Sequence, residues 1–146
     1  MSDAEYIASP TEWVRNQVEL YESSNGTEGY ELRDSGLPVI LVTNNGRKTG
    51  AVRKTPLMRV KVGDAYVLVA SMGGRPKNPV WYYNLVEDPN VTIRDRTEVT
   101  PMRARLVEDA DERARLWDAA AEAFPPYIEY QQRCERTIPV FLAEPV

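Results

Sequence analysis

The sequence predicts an α+β fold built on a mainly antiparallel sheet of about six strands, with helices packed beside it. Three observations predict it. Apolar, β-branched runs are joined in two places by connections short enough to be hairpins. Helical patterns are scattered among the strands instead of alternating with them. The crossover helices that a parallel sheet needs are missing between most strands.

The elements follow in order. Ser9-Pro10-Thr11-Glu12 reads as a helix start, with Ser9 as N-cap and Glu12 closing a capping box. Val14, Val18 and Tyr21 fall on one face, so a helix is expected over 10–22. "SSNGTEG" ends it. "LPVILVT" (37–43) reads as a buried strand and "NNG" as the turn after it. "VRKTPLMRVKV" (52–62) and "AYVLVAS" (65–71) are strands meeting across Gly63-Asp64. "KNPVWYYNLVEDP" (77–89) predicts a short helix capped by Asn78. "NVTIRDR" and "EVTPMRARLVE" form a second strand pair. Asp109 and Glu112 open a helix carrying Leu116, Ala120 and Phe124, which "FPP" breaks. "YIEYQQRC" is a further short helix and "TIPVFLA" a last strand. The 146 residues suit one domain, with 1–36 a helix and flexible segment and 37–146 the core.

Composition narrows the chemistry. The chain has no histidine, which removes Ser-His-Asp and Cys-His nucleophile systems and His-ligated metals, so no metal site is expected. A single cysteine, Cys134, cannot form an internal disulfide and fits a reducing cytoplasm; it reads as a small buried hydrophobe. No apolar run is long enough for a membrane helix, and the N-terminus lacks the pattern of a signal peptide.

Charge is unevenly placed. Residues 1–36 hold eight acids and two bases, whereas residues 46–77 hold eight bases against Asp64 alone. Since the formal net charge is −4, the cations of "GRKTGAVRKTP" (46–56) point to a focused anion site. A solvated surface loop is the plain alternative. A phosphate-binding P-loop is excluded, because Arg47 stands where glycine must precede the lysine. Nucleic acid is disfavoured by the overall negative charge. A small anionic ligand remains, with Gly46 and Gly50 freeing the backbone to approach it.

"TNNGRKTGAVRKTPL", "YVLVASMGGRPKNPVWYYNLVEDP" and "YIEYQQRCERTIPVFLAEP" together resemble the deazaflavin-dependent nitroreductase and quinone reductase family, which uses coenzyme F-420, an 8-hydroxy-5-deazaflavin. The resemblance spans about residues 37–145. It implies a split β-barrel flanked by helices. It assigns Lys48, Arg53 and Lys54 to the coenzyme's phosphate and acidic tail, with Arg47 and Arg59 as weaker candidates and Pro56 beside the coenzyme. The "VASMGG" segment is placed along the ring, with the backbone amides of Ala70 and Ser71 as donors and Gly73 leaving room for a flat ligand. Met72 stands where relatives often carry lysine, a loss that Arg75 or Lys77 would offset. Trp81 and Asn84 anchor the pocket. Ser71, Tyr127 and Tyr130 are the candidate catalytic groups, and Phe124 replaces a third tyrosine.

The implied reaction is hydride transfer from reduced F-420 to a flat electrophilic acceptor such as a quinone, nitroaromatic or activated enone. An FMN-dependent oxidoreductase and a non-catalytic F-420 carrier are the alternatives. The expected setting is the cytoplasm, as monomer or homodimer, with attachment to the inner face of the membrane disfavoured by the acidic first segment.

Overall fold

In the computed structural model, which describes residues 5–32 and 35–146, the chain runs α1 (Glu12–Ser23), β1 (Val39–Asn45), β2 (Val52–Met58), β3 (Lys61–Val62), β4 (Ala65–Val69), α2 (Val80–Glu87), β5 (Asn90–Asp95), β6 (Glu98–Leu106), α3 (Ala110–Ala123), α4 (Pro126–Arg133) and β7 (Val140–Pro145). A 3-10 turn, Met72–Gly74, separates β4 from α2. Residues 1–4 and 33–34 of the segment read as helix and flexible stretch lie outside the described residues.

The strands form one sheet in the order β2-β1-β5-β6-β7-β4-β3, and every pair in it is antiparallel. The fold is therefore α+β, as the hairpin signals indicate. There are seven strands where six were expected, because the run 52–62 breaks at Arg59 and Val60. That break closes the sheet. Before it, Met58 pairs with Val39, and the Arg59 N–H donates to the Pro38 carbonyl at 3.0 Å. After it, the Val67 N–H donates to Val60 at 2.8 Å and Lys61 pairs with Tyr66. One stretch of chain thus stands at both ends of the strand order, and the sheet curls until its ends meet in a split barrel.

Strand alternation sends side chains to two cores. Ile40, Val42, Leu68, Ile93 and Phe141 point inward and meet Leu85 of α2, which plugs the barrel. Val39, Leu41, Val67, Val140 and Leu142 point outward under α1, α3 and α4, represented by Tyr21, Leu116 and Tyr127. Phe141 has no exposed surface, and truncating such a ring to alanine costs about 3–5 kcal/mol.

Several local expectations need correction. The capping box at Ser9 does not form: the N-cap of α1 is Thr11, with no side-chain cap bond, and the Ser9 hydroxyl takes the Thr11 N–H at 3.2 Å. β1 runs on through Asn44 and Asn45, because Asn44 pairs with Arg53 and is buried; the turn falls at 47–49 instead. Pro79, and not Asn78, caps α2. The Asp109 cap of α3 does form, its carboxylate accepting the Glu112 N–H at 2.8 Å.

Candidate functional site

The strand-to-turn junction after β4 builds one wall of a cleft of ≈ 640 Å³. Ser71, Met72 and Gly73 line it, with Pro56 of β2, Trp81 of α2, and Phe124, Tyr127 and Tyr130 around α4. The turn is possible because Gly73 and Gly74 take φ of +67° and +81°, a region open to glycine. Gly74 is also sterically required: a Cβ there would lie 2.6 Å from the Tyr130 carbonyl oxygen, so α4 rests directly on the turn. At Gly73 a Cβ would meet nothing within 4 Å, leaving open space beside the cleft.

Ser71 is 8% exposed, and its hydroxyl has no hydrogen-bond partner among the described residues. Tyr127 is packed edge-on against Phe124 at 4.9 Å and lies 6.2 Å from Tyr130. Burial, and then the neighbouring Tyr130, push the Tyr127 phenol well above its ordinary pKa, so it stays protonated and can donate. Tyr130 is only half-buried. The cleft therefore combines aromatic walls with hydroxyl donors, and no carboxylate lines it among the described residues.

Two smaller cavities adjoin the cleft. Trp81 is shared with a second, of ≈ 340 Å³, lined also by Ile7, Arg53, Lys54 and Asn84. Arg53, Val80 and Asn84 are in turn shared with a third, of ≈ 300 Å³, which Arg47 and Lys48 complete. The result is a groove with an aromatic end and a cationic end. Asn84, buried in α2, fixes the basic loop by accepting the Arg47 N–H at 3.0 Å. Lys48 is exposed and has no acidic partner among the described residues.

Of the residues that the sequence singled out, Ser71, Tyr127, Tyr130, Pro56, Gly73 and Trp81 meet in the cleft, while Lys48, Arg53 and Asn84 meet at the cationic end. Others stand differently. The Ala70 amide cannot serve a ligand, because it donates to the Pro139 carbonyl at 3.0 Å. Lys54 is engaged by both carboxylate oxygens of Glu22, at 2.7 and 2.9 Å. Arg59 lies at the break in the strand and pairs with Asp95 at 2.8 Å, away from the groove. Arg75 and Lys77, the candidates to offset the lysine absent at Met72, line none of the three cavities. Cys134 is half-buried and donates to the Tyr130 carbonyl at 3.4 Å.

A profile of the F420H(2)-dependent quinone reductase family matches residues 13–145. The chain belongs to this family. A quinone reductase of Mycobacterium tuberculosis (strain H37Rv), named as F420H(2)-dependent, is 37% identical over 123 residues, 83% of this chain and 82% of that one. A solved domain-swapped dimer is 44% identical with a TM-score of 0.72, covering 93% of this chain and all of that one. The solved F420-H2 dependent reductase FDR-A is 46% identical with a TM-score of 0.69, covering 73% of this chain and 94% of that one. The reductase class and the coenzyme expected from the basic loop and the aromatic motifs are those of the family. The groove's chemistry fits such a coenzyme: partnerless donors and open space at the planar end, cations at the other.

Proposed function

We propose that the aromatic cleft receives the deazaflavin ring of F-420 together with a flat electrophilic acceptor, a quinone in the first instance, while the cationic end receives the phosphate and acidic tail. The single observation that carries this reading is that the three cavities are neighbours, sharing Trp81 and then Arg53 and Asn84 as lining residues. A ligand both planar and polyanionic spans such a groove, whereas a ligand with one phosphate leaves part of it unused.

When bound, reduced F-420 supplies a hydride and no protein redox group is needed. The chain's residues do the rest. Lys48 and Arg53 hold anionic groups, and Arg53 is steadied by a 3.4 Å contact with the Ile7 carbonyl. Trp81 and the open side of Gly73 bound the ring. Ser71 and Tyr130 offer hydroxyl donors to the acceptor oxygen, and Tyr127, held as the phenol, backs them as a donor and not a base. Trp13, Phe124 and Met58 complete a wall that excludes water and selects on flatness more than on detail. The proposed setting is the cytoplasm, as monomer or homodimer. No helix among the described residues is long and apolar enough to cross a membrane.

Oxidation of reduced F-420 by purified protein with menadione present, alongside titration with FMN, tests the reading. Acceptor-dependent turnover with F-420 and weak FMN binding are expected. Tight FMN binding without F-420 affinity would overturn the coenzyme assignment, and F-420 binding without turnover would leave a carrier.

A further inference from the structure

We infer that Arg136 is a positioning residue for the ring end of the groove: its guanidinium grips the backs of two peptide units and turns their N–H groups toward the cleft. The inference rests on the proposed function only in taking the cleft's ligand to be planar with hydrogen-bond acceptors on its edge.

Arg136 lies outside the cleft lining but makes four hydrogen bonds to what forms it. Nη1 donates to the Ala70 carbonyl at 3.2 Å and to Asn78 Oδ1 at 2.7 Å, Nη2 to the Ser71 carbonyl at 2.8 Å, and Nε to the Arg75 carbonyl at 3.0 Å. The planar fork of a guanidinium can span such a set, and a lysine ammonium cannot. The Ala70 carbonyl shares its peptide unit with the Ser71 N–H, and the Ser71 carbonyl with the Met72 N–H. The chain has no cis peptide bond among the described residues, so in both units the N–H points opposite to the carbonyl and therefore away from Arg136. Ser71 and Met72 both line the cleft. Neither N–H donates to any described residue.

Two donors are thus held side by side, unspent, at the rim of the planar end. Charge-assisted bonds on their carbonyls polarise both amides and strengthen them as donors. The same clamp holds a turn that is otherwise unfavourable, since Met72, Gly73 and Gly74 in succession have φ of +48°, +67° and +81°. Through Asn78 it also fixes the approach to α2, which carries Trp81. Arg136 is itself set by α4: its carbonyl accepts from Gln131 Nε2 at 2.8 Å, while Gln131 Oε1 takes the Ile138 N–H at 2.9 Å. The wall bearing Ser71, the helix bearing Tyr127 and Tyr130, and the start of the helix bearing Trp81 are joined at this one residue.

The experiment compares wild type, Arg136→Lys and Arg136→Ala for binding the full coenzyme and its tail-less form, 8-hydroxy-5-deazaflavin riboside, by fluorescence, with thermal midpoints recorded in parallel. Both variants should lose affinity for the riboside, by about tenfold or more for Arg136→Ala and less for Arg136→Lys. Guanidinium ion at sub-denaturing concentration should restore part of the Arg136→Ala loss, a recovery that mere destabilisation would not give. Unchanged riboside affinity in a folded variant would overturn the inference, and Arg136→Lys decides it where the alanine chain does not fold. Failure of the wild type to bind either form would instead remove the proposed function, and this inference with it.

Discussion

Tyr127 shows how one residue's surroundings fix its chemical role. A phenol in an unfolded chain titrates near pH 10, whereas burial and Tyr130 hold the folded phenol higher. Above about pH 10 the unfolded chain releases a proton that the folded chain keeps. The resulting stabilisation is complete below pH ~10 and is lost as pH rises toward the folded-state pKa. Urea unfolding from about pH 8 to about pH 11 should show Tyr127→Phe with a shallower alkaline decline, by up to ~1.4 kcal/mol per pH unit. Identical slopes would mean that the phenol is not held protonated. The paired glycines make a second prediction at this scale. Gly74→Ala combines φ of +81° with a methyl 2.6 Å from the Tyr130 carbonyl, and should cost on the order of 1–3 kcal/mol while pushing α4 off the turn. Gly73→Ala meets no atom and should cost only its left-handed conformation, roughly 1–2 kcal/mol. Equal denaturation midpoints for the two would show that the turn is not packed against α4.

At the scale of elements, α1 is drawn to the groove by Glu22, whose carboxylate occupies Lys54. Glu22 stands where an anionic tail would otherwise find that cation, so Glu22→Gln should tighten binding of the full coenzyme severalfold and leave the riboside unchanged. Weaker coenzyme binding would instead make Glu22 an aligner of Lys54. The sequence made the elements themselves legible. All four helices lie where apolar spacing and proline breaks predict, and Asp109 caps α3 as its side chain suggests. It misled where tertiary contacts override local signals. Asn44 and Asn45 look like a turn but extend β1, because pairing with Arg53 and Val52 outweighs their loop preference. Arg59 looks like part of the basic loop, yet stands at a break that no periodicity marks. Arg136 gave no sign at all: its role depends on four partners 58 to 66 residues away in sequence.

At the scale of the molecule, closure of the sheet sets where the groove can lie. Because 52–62 stands at both ends of the strand order, β2 brings Arg53 and Pro56 beside the turn after β4, and α2 fills the opening between them. Charge follows the same plan, since the acidic first segment leaves the cations of 46–54 as a local positive region in a chain of net charge −4. The account's central claim is this division of the groove, with acidic tail at the basic loop and ring at the aromatic cleft. The exposed Arg115 of α3, which lines none of the three cavities, serves as the reference cation. The most direct measurement is the affinity of Lys48→Ala/Arg53→Ala for the full coenzyme and for the riboside, set against Arg115→Ala. The double variant should lose about tenfold or more for the full coenzyme, with riboside affinity and the Arg115→Ala chain unchanged. Equal losses for both ligands, or none for either, would contradict the account.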